Sequence, residues 1–230
     1  MKNILAVIPA RGGSKGIPRK NIVKINDRPL IDYTIQAALQ VSRINDVVVS
    51  TEDKEISTIS KELGAQVPFI RSDHLATNQM QSAPVIIDAL NQMERLKSIK
   101  YDAVLMLQPT SPLRTSKHID DALKIFLKSD SDSLVSVTEV PHNMNPYSIM
   151  QLKKDGTIKP FLKYDENNNL RQKKPIFYAR NGAAIYICTY QCLMKKNSLY
   201  GDKIVPFFMN KETSIDLDDE IDWKIAQYFM

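Results

Sequence analysis

Cysteine is nearly absent. The 230-residue chain carries two, Cys188 and Cys192, too few for the disulfide framework of a small secreted domain. Their CxxxC spacing has no further cysteine or histidine at zinc-site distance, so both read as reduced structural thiols. Histidine is equally sparse, and His74, His118 and His142 form neither a metal-ligand nor a triad spacing. No apolar run approaches the roughly 18 residues of a membrane span. The N-terminal stretch Ile4 to Ile8 is shorter than the about 7–15 residues of a signal-peptide core, and no small-residue cleavage site follows it. A cytoplasmic protein with no membrane partner is expected. No block of five or six like charges occurs, so the formal net charge of +5 does not point to a nucleic-acid arm. Internal repeats and low-complexity segments are missing too.

What is present is ordinary in amount and regular in order. Hydrophobic residues at 43% and charged residues at 25% suit a globular chain, and the length suits one α/β domain over 1–230. Apolar runs at Ile4–Ile8, Asp46–Ser50, Ala103–Leu107 and Leu134–Val137 predict strands. Between them Leu30–Val41, Asp53–Leu63, Ala83–Lys97 and Lys117–Leu127 carry helical spacing, the second ending before Gly64 as a natural C-cap. Strands apolar throughout, alternating with helices, predict a mostly parallel sheet covered on both faces. The rhythm breaks between Pro141 and Pro175, where four prolines, Asp155-Gly156 and Asn167-Asn168-Asn169 predict projecting hairpins and loops. It resumes with strands at Ala183–Cys188 and Ile204–Phe208 and a helix over about Glu220–Phe229.

Ligands of open α/β sheets bind beyond the carboxyl ends of the strands, so the loop after the first strand is the first place to look. It reads Pro9-Ala10-Arg11-Gly12-Gly13-Ser14-Lys15-Gly16-Ile17-Pro18-Arg19-Lys20-Asn21. Gly12, Gly13 and Gly16 would let backbone N–H groups approach an anion, and Arg11, Lys15, Arg19 and Lys20 add positive charge suited to a triphosphate. A solvated basic turn is the plain alternative. The glycine positions fit neither the GxxxxGK[ST] of P-loop ATPases nor the GxGxxG of dinucleotide oxidoreductases.

Four further blocks follow. Arg71-Ser72-Asp73-His74-Leu75-Ala76, with Ser82 and Asp88 downstream, offers donors, although Arg71 reads equally as an ion-pair residue. Leu107-Gln108-Pro109-Thr110-Ser111-Pro112-Leu113-Arg114 follows a core strand; its prolines fix a turn that leaves Gln108, Thr110, Ser111 and Arg114 to face the strand ends, with Thr115 or Ser116 placed to cap the next helix. Then come Arg171-Gln172 and Tyr178-Ala179-Arg180-Asn181-Gly182-Ala183-Ala184-Ile185-Tyr186-Ile187. An arginine at 171 would suit a bidentate pair with a carboxylate, whereas Tyr186 on its own reads as a core aromatic. Last, Ser214-Ile215-Asp216-Leu217-Asp218-Asp219-Glu220 puts Asp216 and Asp218 on one face of an extended segment. Such hard oxygen ligands suit Mg2+ shared with phosphate oxygens. A helix start accounts for Asp219 and Glu220 but poorly for Asp216.

Taken in order, these blocks cover essentially the whole chain, and they resemble the acylneuraminate cytidylyltransferases, the CMP-sialic acid and CMP-legionaminate synthetases. That resemblance implies a Rossmann-like nucleotide-sugar transferase fold. It also implies transfer of CMP from CTP to a nine-carbon sugar acid with Mg2+ as cofactor. It assigns Ala10, Arg11, Gly12, Gly13, Ser14, Asn21, Arg71 and Ser82 to the nucleotide, and Arg11, Lys15 and Lys20 to catalysis. Gln108, Arg171, Asn181 and Tyr186 go to the sugar, and Asp216 and Asp218 to the metal. It further implies a homodimer in which an arm over about 141–178 carries Arg171 into the partner's site. The chain departs from the family's pattern at Pro146-Tyr147-Ser148, where some members have a lysine, and at Leu199-Tyr200, a loose match to an aromatic pair. Both departures fall on the sugar side. The related deoxyoctulosonate cytidylyltransferases make an eight-carbon sugar acid the alternative substrate, but the long Gly-Gly-Ser-Lys-Gly loop and the Arg171-Gln172 pair argue against it. A CTP-binding protein without turnover is the non-enzymatic alternative, and the presence of Asp216 and Asp218 argues against it.

Overall fold

The computed structural model describes residues 2–14, 16–162 and 174–230. In chain order the elements are β1 (Ile4–Pro9), β2 (Lys24–Ile25), β3 (Arg28–Pro29), α1 (Leu30–Leu39), β4 (Asp46–Ser50) and α2 (Lys54–Glu62). Then come α3 (Ser82–Lys97), β5 (Ala103–Met106), α4 (Ser116–Lys128), β6 (Ser133–Glu139), β7 (Met150–Leu152) and β8 (Ile158–Pro160). The chain closes with β9 (Tyr178–Arg180), β10 (Tyr186–Thr189), α5 (Tyr190–Lys196), β11 (Ile204–Phe208) and α6 (Glu220–Phe229).

The central sheet runs β11-β6-β10-β5-β1-β4, with β9 paired to the far part of β6. Side chains alternate across it with a period of two. Ile4, Ala6 and Ile8 of β1 face one layer with Ile31 and Ile35 of α1, Ile56 of α2 and Leu123 and Phe126 of α4. Leu5 and Val7 face the other, with Ile86, Leu90 and Met93 of α3 and Leu193 of α5. Both cysteines are free and buried in that second layer, where burial pushes the Cys188 thiol up. A small third cluster, Ile25, Leu30, Leu217 and Ala226, seats α6 against the β2–β3 hairpin.

Helix ends follow their local chemistry. Asp53 caps α2 through a bond from Ile56 N at 2.9 Å. Thr115, one of the two residues expected there, caps α4. Gly64, at φ +93, ends the α2 turn, and Asp219 caps α6.

One expectation needs correction. The strand expected at Ala183–Cys188 begins at Tyr186, because Gly182 (φ +65) and Ala183 (φ +59) hold a left-handed turn that no strand accommodates. That strand, β10, is also antiparallel to both β5 and β6. A strand buried on both faces reads as an apolar run whichever way it points, so its direction left no mark in the sequence. The expected hairpin in the proline-rich stretch is there: β7 and β8 pair antiparallel, and all six residues are exposed. No helix among the described residues is long and apolar enough to cross a membrane.

Candidate active site

The carboxyl ends of β1, β4 and β5 open onto a cavity of about 370 Å³. Its wall includes Arg11, Ser14, Gly16, Lys20 and Asn21 from the first loop, Arg71, Ser82, Gln108, Thr110, Asp216 and Asp218. A second cavity of about 620 Å³ lies beside it, lined by Arg180, Gly182, Ala183, Tyr186, Asn197, Leu199 and Tyr200 among others. Gln81, Ser82, Gln108 and Asp216 stand on both walls. The two spaces are therefore neighbours across a partition of a few side chains, and Ser82 sits in the first turn of α3, where unpaired helix amides favour an anion.

The first loop is held to the sheet by its backbone: Ala10 N donates to Ser50 O at 3.0 Å. The Asn21 amide is buried and donates to Arg11 O at 2.9 Å, so Asn21 shapes the loop from within. Arg11 Nη1 donates to Thr77 O at 3.2 Å across the cavity mouth. Gly12, expected to offer its amide to an anion, gives it to Glu52 Oε1 at 2.7 Å. Of the loop's cations, Arg19 turns away and pairs with Asp53 and Glu55. Lys15 and Arg171 lie outside the described residues.

Lys20 ties the loop to the acidic segment. Its Nζ donates to Leu217 O and stands 3.5 Å from Asp218 Oδ1. Leu217 points into the third apolar cluster, while Asp216 and Asp218 on either side of it line the cavity, the alternation an extended segment dictates. Two close approaches fix this geometry. A Cβ on Gly16 would lie 2.3 Å from the Asp218 carbonyl oxygen, and one on Gly182 would lie 2.1 Å from Asp216 Cγ. Either position excludes a side chain.

Asp216 is electrostatically out of balance. Burial pushes its carboxyl up to about 6; Asp218 adds to the rise, while Thr110 and Lys20 oppose it. Its Oδ1 is buried with no hydrogen-bond partner. Asp218 has its side chain 80% exposed. Among the described residues no cluster of three or more His, Cys, Asp or Glu could cage a metal by itself.

On the second cavity, Tyr186 is both core aromatic and wall: it belongs to the α3 layer and meets the Tyr200 ring edge-on at 5.6 Å. Arg180 Nη1 donates to Tyr200 Oη at 2.5 Å. Asn181 lines neither cavity. Its Oδ1 accepts from Ser136 Oγ at 2.6 Å and its Nδ2 donates to Ser214 Oγ at 3.0 Å, because the chain bulges between β9 and β10 opposite Ser136 and Asn181 fills the gap. Arg114, read as facing the strand ends, is 2% exposed. Its guanidinium lies under the site and binds the carbonyls of Gln108 and Ala184 and the Thr34 hydroxyl.

Residues that the sequence did not single out also stand here. Thr77, Asn78 and Gln81 line the first cavity from a segment that reads as an ordinary polar loop. Glu52 reaches the loop across a long stretch of chain, and no periodicity announces such a contact. Arg180 carried a usable signal, a cation beside the Asn181-Gly182 turn.

The comparisons agree with this geometry. The family described as "Cytidylyltransferase" matches residues 5–226. The CMP-N,N'-diacetyllegionaminic acid synthase of Legionella pneumophila subsp. pneumophila is 38% identical over 99% of this chain and 96% of its own. The N-acylneuraminate cytidylyltransferase of Escherichia coli O18:K1:H7 is 33% identical over 97% of this chain, which spans 51% of that longer protein. A CMP:2-keto-3-deoxy-manno-octonic acid synthetase solved in complex with CTP superposes with a TM-score of 0.74, at 16% identity, over 99% of this chain and 98% of its own. At that identity the last shares the fold. With the family matched over nearly its full length and a cationic cavity at the strand ends, the chain belongs to the cytidylyltransferase family.

Proposed function

We propose that the chain transfers CMP from CTP to the C2 hydroxyl of a nine-carbon sugar acid, N,N'-diacetyllegionaminate or N-acetylneuraminate, in the cytoplasm. The observation that carries this reading is the shared wall. Asp216, Gln108 and Ser82 border both the cationic cavity and the aromatic one, which is what transfer between two bound substrates requires. In this reading the first cavity holds CTP and the second the sugar. The legionaminate and neuraminate relatives supply the substrate class.

Arg11 and Lys20 offset charge on the triphosphate, with Ser14, Arg71 and the α3 N-terminus binding the rest of the nucleotide. Gln108 and Tyr186 orient the sugar so that its hydroxyl oxygen faces the α-phosphorus in line with the bond to the β-phosphate. The new C–O–P bond forms as the α–β bridging bond breaks. The hydroxyl proton passes to solvent water, and pyrophosphate leaves with the bridging oxygen and its charge. Preorganised cations at such a leaving group contribute about 3–4 kcal/mol each. The unpartnered Asp216 Oδ1 and the neighbouring Asp218 fit Mg2+, which takes one or two protein carboxylates and completes its shell with phosphate oxygens and water. Bound there, it supplies Lewis-acid charge to the phosphate oxygens. The segment about 141–178 acts as an arm that reaches a second copy. The support is its row of exposed apolar residues, Met150, Leu152, Ile158, Phe161, Ile176 and Tyr178, which a homodimer would cover.

The test is pyrophosphate release with Mg2+ and CTP against N,N'-diacetyllegionaminate, N-acetylneuraminate, pseudaminate and deoxyoctulosonate, with ATP, GTP and UTP as controls. Turnover with CTP and one of the first two is expected. Activity with deoxyoctulosonate alone would overturn the substrate class.

A further inference from the structure

Glu52 sits two residues beyond the end of β4, among three segments laid side by side by their backbones. Ala10 N donates to Ser50 O at 3.0 Å, and Arg71 N donates to Thr51 O at 2.9 Å. The Glu52 side chain extends this alignment to both neighbours at once. Oε1 accepts from Gly12 N at 2.7 Å, and Oε2 accepts from Arg71 Nη2 at 2.5 Å. Each oxygen has its own partner, so the carboxylate is a brace between the glycine-rich loop and Arg71.

The surroundings make this brace informative. Glu52 itself lines neither cavity, whereas Arg11, Ser14, Gly16 and Arg71 do. A carboxylate close to a space that takes a polyanion works against binding by simple Coulomb repulsion. Its presence is compatible with the site because Arg71 neutralises it. Arg71 in turn is 3% exposed, and its Nε has no partner, so Glu52 is the carboxylate that makes a buried guanidinium tolerable. Gly12 is pinned from its other side too: a Cβ there would lie 2.5 Å from Asp53 Oδ2. Asp53 is itself held by Arg19 and by the start of α2.

We infer that Glu52 is a positioning residue for nucleotide binding: it fixes the glycine-rich loop and Arg71 in one relative register. In that register the two walls of the first cavity act together. The inference rests on the nucleotide reading of that cavity and adds to it a residue that touches no substrate.

The experiment is CTP binding by calorimetry to the full chain and to Glu52→Gln, Arg71→Met and the double variant, with steady-state kinetics and thermal melts alongside. Gln keeps the size and an acceptor for Gly12 but removes the charge that faces Arg71. Glu52→Gln is expected to weaken CTP about tenfold, the scale of one lost charge-assisted hydrogen bond. The rise appears in KM for CTP, with kcat at saturating CTP within about threefold. The double variant is expected to bind no more weakly than Arg71→Met alone, since the two residues act as one unit. A lower melting temperature with CTP affinity within twofold of the parent would make Glu52 merely structural and overturn the proposal. Additive losses in the double variant would overturn it as well. Should Glu52→Gln fail to fold, amide exchange of the unsubstituted chain decides. The Gly12 amide is expected to be protected before CTP is added, and fast exchange there would refute the brace. If the parent chain binds no CTP, the nucleotide reading itself has failed; if it binds CTP and the variants bind as well, only the role of Glu52 has.

Discussion

Two carboxylates, Asp46 buried and Asp216 half-buried, stand at opposite ends of the same sheet and differ in almost every respect. Asp46 opens β4 at the end away from the cavities. It accepts from Tyr101 Oη at 2.6 Å, Gln66 Nε2 at 2.7 Å and the Lys97 ammonium. Burial pushes its carboxyl up, but the bonds from Lys97, Tyr101 and Gln66 outweigh that, and it titrates below the ordinary carboxylate range. Asp216 stands at the cavity end, with one oxygen unpartnered and its carboxyl pushed up to about 6. At one end both carboxylate oxygens have internal partners, and the arrangement stabilises the fold. At the other a charge is left for something outside the chain to complete. Perturbed groups of the second kind mark functional sites because their environment opposes stability.

The sharpest way to break this contrast is to remove each carboxylate in turn. Asp216→Ala is expected to lower turnover by about a hundredfold or more, with a melting temperature no lower than the parent's. Near-normal pyrophosphate release would remove Asp216 from the chemistry. Asp46→Ala is expected to cost about 1–3 kcal/mol of stability in urea titration, because the buried Tyr101 hydroxyl loses its acceptor. Its turnover per folded molecule should be unchanged, and a loss of activity without a loss of stability would erase the distinction.

The pH dependence of stability sharpens the comparison, because the signs are opposite. Asp46 has a depressed folded value, so its contribution is fully present above its unfolded value and is lost as pH falls through the folded one. Asp216 has a raised folded value, so the native state holds more protons than the unfolded chain between about pH 4 and 6. Its ionised form therefore weakens the fold above pH 6. Asp216→Asn should melt higher than the parent at pH 7.5, by an amount worth about 1–2 kcal/mol, and the gap should close toward pH 4. A gap constant with pH would contradict the assignment. The smallest effect is expected at the second cavity. Tyr200→Phe removes the partner of Arg180 and should raise KM for the sugar acid about threefold, the scale of one exposed hydrogen bond. KM for CTP should not move.

Much of this was legible because it is local. The runs at Ile4–Ile8 and Asp46–Ser50 alternate between two helical layers, so burial on both faces is written in each residue. The loop from Pro9 to Asn21 and the pair Asp216 and Asp218 could be read because chemistry and spacing coincide within a few residues. What could not be read is relational. The direction of β10, the diversion of the Gly12 amide to Glu52 and the consumption of Asn181 by a bulge all depend on segments distant in sequence. Arg114 shows the same limit. As a cation at a strand end it reads as a ligand group, yet its hydrogen bonds are to Gln108, Ala184 and Thr34.

The late insertion of β10 bears on how the protein is made. This strand lies between β5 and β6 in the sheet, although both precede it in the chain, with the whole 141–178 excursion coming between. During synthesis β1, β4 and β5 emerge early and can pair with one another, but the facing edges of β5 and β6 stay open until Tyr186–Thr189 leaves the ribosome. Bare strand edges of that kind recruit other chains. A nascent chain stopped short of Tyr186 therefore carries the facing edges of β5 and β6 bare, and the other edge of β6 waits longer still, for β11.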